Sequence, residues 1–86
     1  MTQKTKDRIN EMKKTFGKYP DYDFTHSGKT IRLVETNDPY TKLKPGDTGI
    51  IEMIHKHHDF NQIWIKWRSG SGLMLIDPPD KYVILE

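Results

Sequence analysis

The segment Asp38-Pro39-Tyr40-Thr41-Lys42-Leu43-Lys44-Pro45-Gly46-Asp47-Thr48-Gly49 constrains the fold of this chain more than any other. Pro39 and Pro45 fix their own φ and offer no backbone donor, Gly46 and Gly49 admit φ > 0, and Asp38 and Asp47 can bond nearby amides. Neither a helix nor a central strand can run through it. The spacing predicts a long shaped loop, closed by a tight Pro-Gly-Asp turn, that feeds a strand starting at Thr48 or Gly49.

On either side of this loop there is little chain to work with. Eighty-six residues make one domain with one modest core, and the absence of cysteine removes disulfides, thiolate catalysis and cysteine-based zinc sites. The positive charge is concentrated at one end. Residues 1–20 hold six Lys and Arg against two acids, a balance of +4, and the remaining eight against ten leave −2 on the rest. No apolar run resembles a signal peptide or approaches the ~18 residues of a membrane span, so a soluble cytoplasmic protein without membrane contact is expected.

Residues 3–16 read as a helix. Ile9, Met12 and Phe16 fall on one stripe at i, i+3 and i+7, with Gly17 as the stop and Lys13 and Lys14 where the helix dipole favours cations. A helix this short is marginal alone, so the stripe must dock on the domain or pair with another chain. The connector that follows is dense in turn formers but carries Tyr19, Tyr22 and Phe24, which implies that it lies against the domain.

Five short strands are expected next. Residues 30–35 alternate, and residues 48–55 do so with a break near Glu52 that a bulge would explain. Residues 62–68 alternate cleanly, with Ile63, Ile65 and Trp67 on one face and Trp64, Lys66 and Arg68 on the other. Ser69-Gly70-Ser71-Gly72 supplies a turn, and residues 73–76 and 82–85 complete the set across the Asp77-Pro78-Pro79-Asp80 corner. The pattern is mainly β: a small five-stranded barrel over residues 28–86, preceded by a basic amphipathic helix (1–17) and an aromatic connector (18–27).

The strings Ile31-Arg32-Leu33-Val34, Asp38-Pro39-Tyr40-Thr41, Leu43-Lys44-Pro45-Gly46-Asp47-Thr48-Gly49, Ile63-Trp64-Ile65-Lys66-Trp67 and Leu73-Met74-Leu75-Ile76 occur in this order. Over residues 28–86 the chain thereby resembles the uncharacterised prokaryotic family catalogued as domain of unknown function 4314. The resemblance implies an SH3-like barrel and names no chemistry. Residues 45–49 are also similar to the KOW element of ribosomal and transcription-elongation proteins. Two stretches depart from the family pattern: a connector longer than expected, and an enlarged, histidine-rich loop at residues 56–61.

The outward face of the strand at 62–68 is the leading binding candidate, because an indole beside two cations suits base stacking and phosphate contact. Trp64, Lys66 and Arg68, with Arg32 from the first strand and Lys4, Arg8, Lys13 and Lys14 from the helix, make up the expected nucleic-acid or ribonucleoprotein surface. The competing reading covers Trp64 with Met12 or Phe16 of the helix, or with Tyr22 and Phe24. A second binding reading gives Tyr40, Lys42 and Leu43 to a protein partner, as in peptide-binding SH3 grooves.

His55, His57, His58 and Asp59 include donors on one side of a strand, but no ligand signature accompanies them, and no metal or cofactor is expected. No nucleophile motif or phosphate-cradling loop is present, and a barrel this small fills with its own side chains. A non-enzymatic binding module with no small-molecule substrate is the expectation.

Overall fold

The computed structural model describes residues 1–36, 38 and 42–85. The chain is mainly β, with α1 (Gln3–Phe16) followed by β1 (Tyr22–Asp23), β2 (Thr30–Glu35), β3 (Thr48–Lys56), β4 (Asn61–Trp67), β5 (Leu75–Asp77) and β6 (Lys81–Ile84). The strands form one antiparallel sheet in the order β5-β4-β3-β2-β6, with β1 added to β3 beside this path. Among the described residues six strands therefore stand where the sequence predicts five. The extra one is a two-residue pairing, Tyr22 with His55 and Asp23 with Ile54, too short to leave a periodic signal.

Alternation on β4 places Ile63, Ile65 and Trp67 in the core, which they share with Ile31, Leu33, Leu43, Ile51, Ile54 and Leu75. On β3 the register shifts between Ile51 and Met53, the bulge expected near Glu52. Ile51 opposes Ile65 and Ile54 opposes Ile63, so both face the core, while Met53 opposes Trp64 and faces away from it. Met53 is nonetheless fully buried, because α1 lies over that outer face with Ile9 and Met12 buried beneath it. The helix stripe thus docks on its own sheet.

The turn before β3 is built as its residues dictate. Gly46 adopts φ +98°, the Asp47 carboxylate accepts from the Lys44 amide at 2.9 Å, and Gly46 N–H donates to the Leu33 carbonyl at 2.8 Å. Gly49 proves different from the expectation, since its φ is not positive. It is glycine because β4 crosses too closely: a Cβ there would meet Ile65 Cγ2 at 2.5 Å and the Lys66 carbonyl oxygen at 2.9 Å.

β5 and β6 stand at opposite edges of the ladder, and Asp80, between them in the chain, ties β5 to the residue that follows β2. Its carboxylate accepts from the Ile76 amide at 2.9 Å and from Thr36 Oγ1 at 2.9 Å, which explains why an acid stands at 7% exposure. The corner residue is thus more than a turn former.

The connector lies against the domain through stacked rings. Phe16 stacks on Tyr22 (4.6 Å), Tyr22 on His55 (4.1 Å), His55 meets His57 (4.1 Å, tilted), and His57 stacks on Phe60 (4.4 Å). Beside this column Asp23 accepts from the Thr25 hydroxyl (2.7 Å) and amide (2.8 Å) and pairs with Lys56 at 3.5 Å. The Thr25 hydroxyl and amide, with Lys56 adding to them, hold its carboxyl below the ordinary value of 3.8 against the opposing effect of burial.

Gly49→Ala should cost roughly 3 kcal/mol, lowering Tm by about 10–20 °C, because the obstructing atoms are largely backbone. Gly72→Ala, with open space around the added methyl, should leave Tm unchanged, and thermal denaturation of the pair checks both. Asp23 stabilises the fold at pH values above its unfolded-state value and loses that contribution as the pH falls through its depressed folded value. The stability difference between the wild type and Asp23→Asn should therefore be largest near neutral pH and shrink as the pH falls below 3.8 and through the depressed folded value, as read from urea titrations across that range.

Candidate nucleic-acid interface

The docked helix and the outer face of β4 enclose a cleft of about 530 Å³. Lys4 and Arg8 reach it from α1, where a separation of four residues puts them on one flank of the helix. Trp64 and Lys66 reach it from β4, where a separation of two puts them on one face. Thr2 and Thr5 stand at its rim, and Gly70, Ser71, Gly72 and Met74 close the far side. Four of the eight residues assigned to a nucleic-acid surface are therefore brought together.

The cleft also receives the N-terminus of α1. Thr2 caps the helix, its hydroxyl accepting from the Thr5 amide at 3.2 Å, and no acid occupies the first turn to offset the positive end of the dipole. Exposed Lys4 and Lys66 add full charges to that end. At the floor lies Glu52, whose carboxylate is taken by Arg8. The Glu52 side chain is 5% exposed and that of Arg8 57%, so the guanidinium neutralises a buried acid while its outer edge meets solvent. The sequence marks Glu52 by the break in alternation around it, as a bulge, but gives no sign that its carboxylate meets Arg8 in the cleft.

Trp64 faces outward from the core as expected, but it is not an open platform. The ring is half-buried, and its Nε1–H is sealed from solvent with no hydrogen-bond partner among the described residues. Its cover comes from the first turns of α1, which share the cleft with it. Phe16 is engaged instead with Tyr22, and Tyr22 with His55. Trp67 presents the contrast, since its Nε1–H donates to the Leu73 carbonyl at 2.7 Å and folds the β4–β5 connection onto the core.

The remaining assigned residues lie elsewhere. Lys13 and Lys14 close the helix at its other end, with Lys14 paired to Glu11 at 3.2 Å. Arg32 is exposed on β2 opposite Val83 of β6, two strands from β4. Arg68 lines a separate shallow depression with Gly46, Asp47, Thr48 and Ser69. For the protein-binding alternative, Tyr40 falls outside the described residues, and Leu43 is a correction: at 7% exposure its side chain belongs to the core and is not offered to a partner. Lys42 is exposed and lines a depression with Asp38 and residues 69–73.

The histidines are engaged in packing. His55 and His57 stand in the ring column, His55 Nε2 lies 3.2 Å from an Asp21 carboxylate oxygen, and His58 is almost fully exposed beside Asp59. Among the described residues no three His, Asp or Glu side chains are grouped to hold a metal ion, and no helix is long and apolar enough to cross a membrane.

A sealed, unpaired donor costs about 1–3 kcal/mol, so removing it offsets the area lost with the smaller ring. Trp64→Phe should accordingly leave the unfolding free energy within about 1 kcal/mol of wild type, and a larger loss in denaturant titration would reveal a bond to Nε1.

No curated protein and no solved structure matches the chain. The sequence resemblance was placed on residues 28–86, whereas the family model, Domain of unknown function (DUF4314), matches residues 5–85 and so takes in α1 and the connector as well. Thr2 and Lys4 lie just before that match and the other residues of the cleft lie inside it; with nearly the whole chain matched, the chain belongs to the DUF4314 family.

Proposed function

We propose that this protein is a non-enzymatic binding module that contacts nucleic acid, alone or within a ribonucleoprotein, through the cleft between α1 and β4. The observation that carries the reading is the convergence of Lys4, Arg8, Trp64 and Lys66 on one cleft that also receives an uncompensated helix N-terminus. Phosphate is the ligand chemistry that such a set favours, because charge, amide dipoles and hydroxyl donors act together there. The curled sheet as an SH3-like barrel, the KOW-like turn at Pro45-Gly46-Asp47 and a cytoplasmic location belong to the same proposal. The loop reading with Tyr40, Lys42 and Leu43 is not carried forward, since Tyr40, its aromatic residue, lies outside the described residues and Leu43 is buried.

Binding is tested by fluorescence anisotropy of labelled oligonucleotides against the full chain at increasing salt. Three cations on the cleft predict a slope of log K on log salt of about −2 for a single strand. Lys4→Ala with Lys66→Ala should flatten it to about −0.7, and Lys13→Ala with Lys14→Ala should change it little. Arg8 is unsuitable for this comparison, because its removal strands the buried Glu52 carboxylate and costs folding energy. Absence of binding at low salt overturns the reading.

A further inference from the structure

The cleft does not end at its far wall. Gly70, Ser71 and Gly72, which close it, also line the depression that holds Lys42, Asp38, Leu43 and Leu73. Ser69, one residue earlier, lines both that depression and the one holding Arg68 and Asp47. Residues 69–72 therefore form a saddle between the helix-side cleft and the far side of the sheet.

The saddle is low and held in shape. Gly70 adopts φ +87° and its amide donates to the Trp67 carbonyl at 3.0 Å; the Ser69 hydroxyl accepts from the Ser71 amide at 3.3 Å, and the Ser71 hydroxyl from the Leu73 amide at 3.1 Å. At Gly72 a side chain would project into open space. A chain can thus cross here against backbone, without side chains standing in the way.

The two sides of the saddle differ in charge. On the helix side Lys4, Arg8 and Lys66 stand against Glu52 alone. On the far side Lys42 shares its depression with Asp38 and Arg68 shares its depression with Asp47, so donors and acceptors are present with little net charge. The first side suits phosphates and the second suits base edges.

Resting on the nucleic-acid reading above, we propose that the ligand is a single strand, held by its backbone in the α1–β4 cleft and continuing over residues 69–72, where its bases meet the Lys42 and Arg68 side. Shape favours one chain over two: a cleft of about 530 Å³ between a helix and a turn suits a single strand, and a stiff double helix follows a curved path over the saddle less readily. The half-buried Trp64 forms a wall that one nucleotide can lie against.

The experiment uses the full chain with labelled single-stranded DNA and RNA of about four and about eight nucleotides and a blunt DNA duplex of matched sequence. The single strand should bind about tenfold or more tightly than the duplex, and the longer strand more tightly than the shorter with an unchanged salt slope, because the added length reaches neutral ground. Gly72→Asp should leave Tm unaffected and weaken the longer strand about fivefold or more, and by a larger factor than it weakens the shorter one. Gly72→Asn should weaken the longer strand less, since it adds bulk without charge. Equal or tighter duplex binding overturns the proposal, as does an unchanged affinity of Gly72→Asp for the longer strand, and in both cases the cleft reading survives. Loss of every oligonucleotide at low salt overturns both.

Discussion

The structure depends on a single inserted residue in β3. Strict alternation through Ile50-Ile51-Glu52-Met53-Ile54 would turn Ile51 and Ile54 to opposite faces, leaving one of them without a core. The bulge between Ile51 and Met53 returns both to the interior and sends Met53 to the outer surface beside Trp64. That surface, with a fully buried methionine, is the seat on which Ile9 and Met12 dock. Without the bulge the helix has no apolar landing, and Glu52 has no reason to lie under Arg8.

Docking then does for the charge what composition does not. The sheet-forming part of the chain carries −2, and as a freestanding unit it has no basic footprint. Laying α1 over the outer face of β3 and β4 brings Lys4 and Arg8 to Lys66 and aims the helix N-terminus into the same space. The stacked column from Phe16 through Tyr22, His55 and His57 to Phe60 fixes the opposite end of the helix. Two anchors, Arg8 with Glu52 near one end and Phe16 near the other, hold the helix in one orientation over the sheet.

The parts of this arrangement that were legible in the sequence are those set by local period and turn chemistry. The helix stripe, the clean alternation at residues 62–68, the bulge at Glu52 and the Pro45-Gly46-Asp47 turn all follow from residues within a few positions of one another. The parts that were not legible depend on what comes from elsewhere in the chain. Gly49 reads as a turn glycine until Ile65 is seen to press on it, and Asp80 reads as a corner residue until Ile76 and Thr36 are seen to share it. The site was half legible for the same reason. Residue type picked out all eight candidates alike, but only the placement of α1 and the strand order show that Lys4, Arg8, Trp64 and Lys66 share a cleft and that Lys13, Lys14, Arg32 and Arg68 lie elsewhere.

Arg8 has two claims on it. Its Nε is committed to Glu52, but a guanidinium has five donors in a fork, and the exposed edge remains free to meet an anion in the cleft. An anion that bonds only that edge leaves the ion pair intact and reinforces the docked helix, because Arg8 then bridges ligand, helix and sheet. One that draws Arg8 away strands Glu52 at a cost of several kcal/mol, more than a single charge-assisted bond returns. The balance favours ligands that add to the pair over ligands that break it. On the proposed reading, helix docking and anion binding would thereby be coupled in the same direction, with the buried Glu52 carboxylate as the element that keeps Arg8 in position.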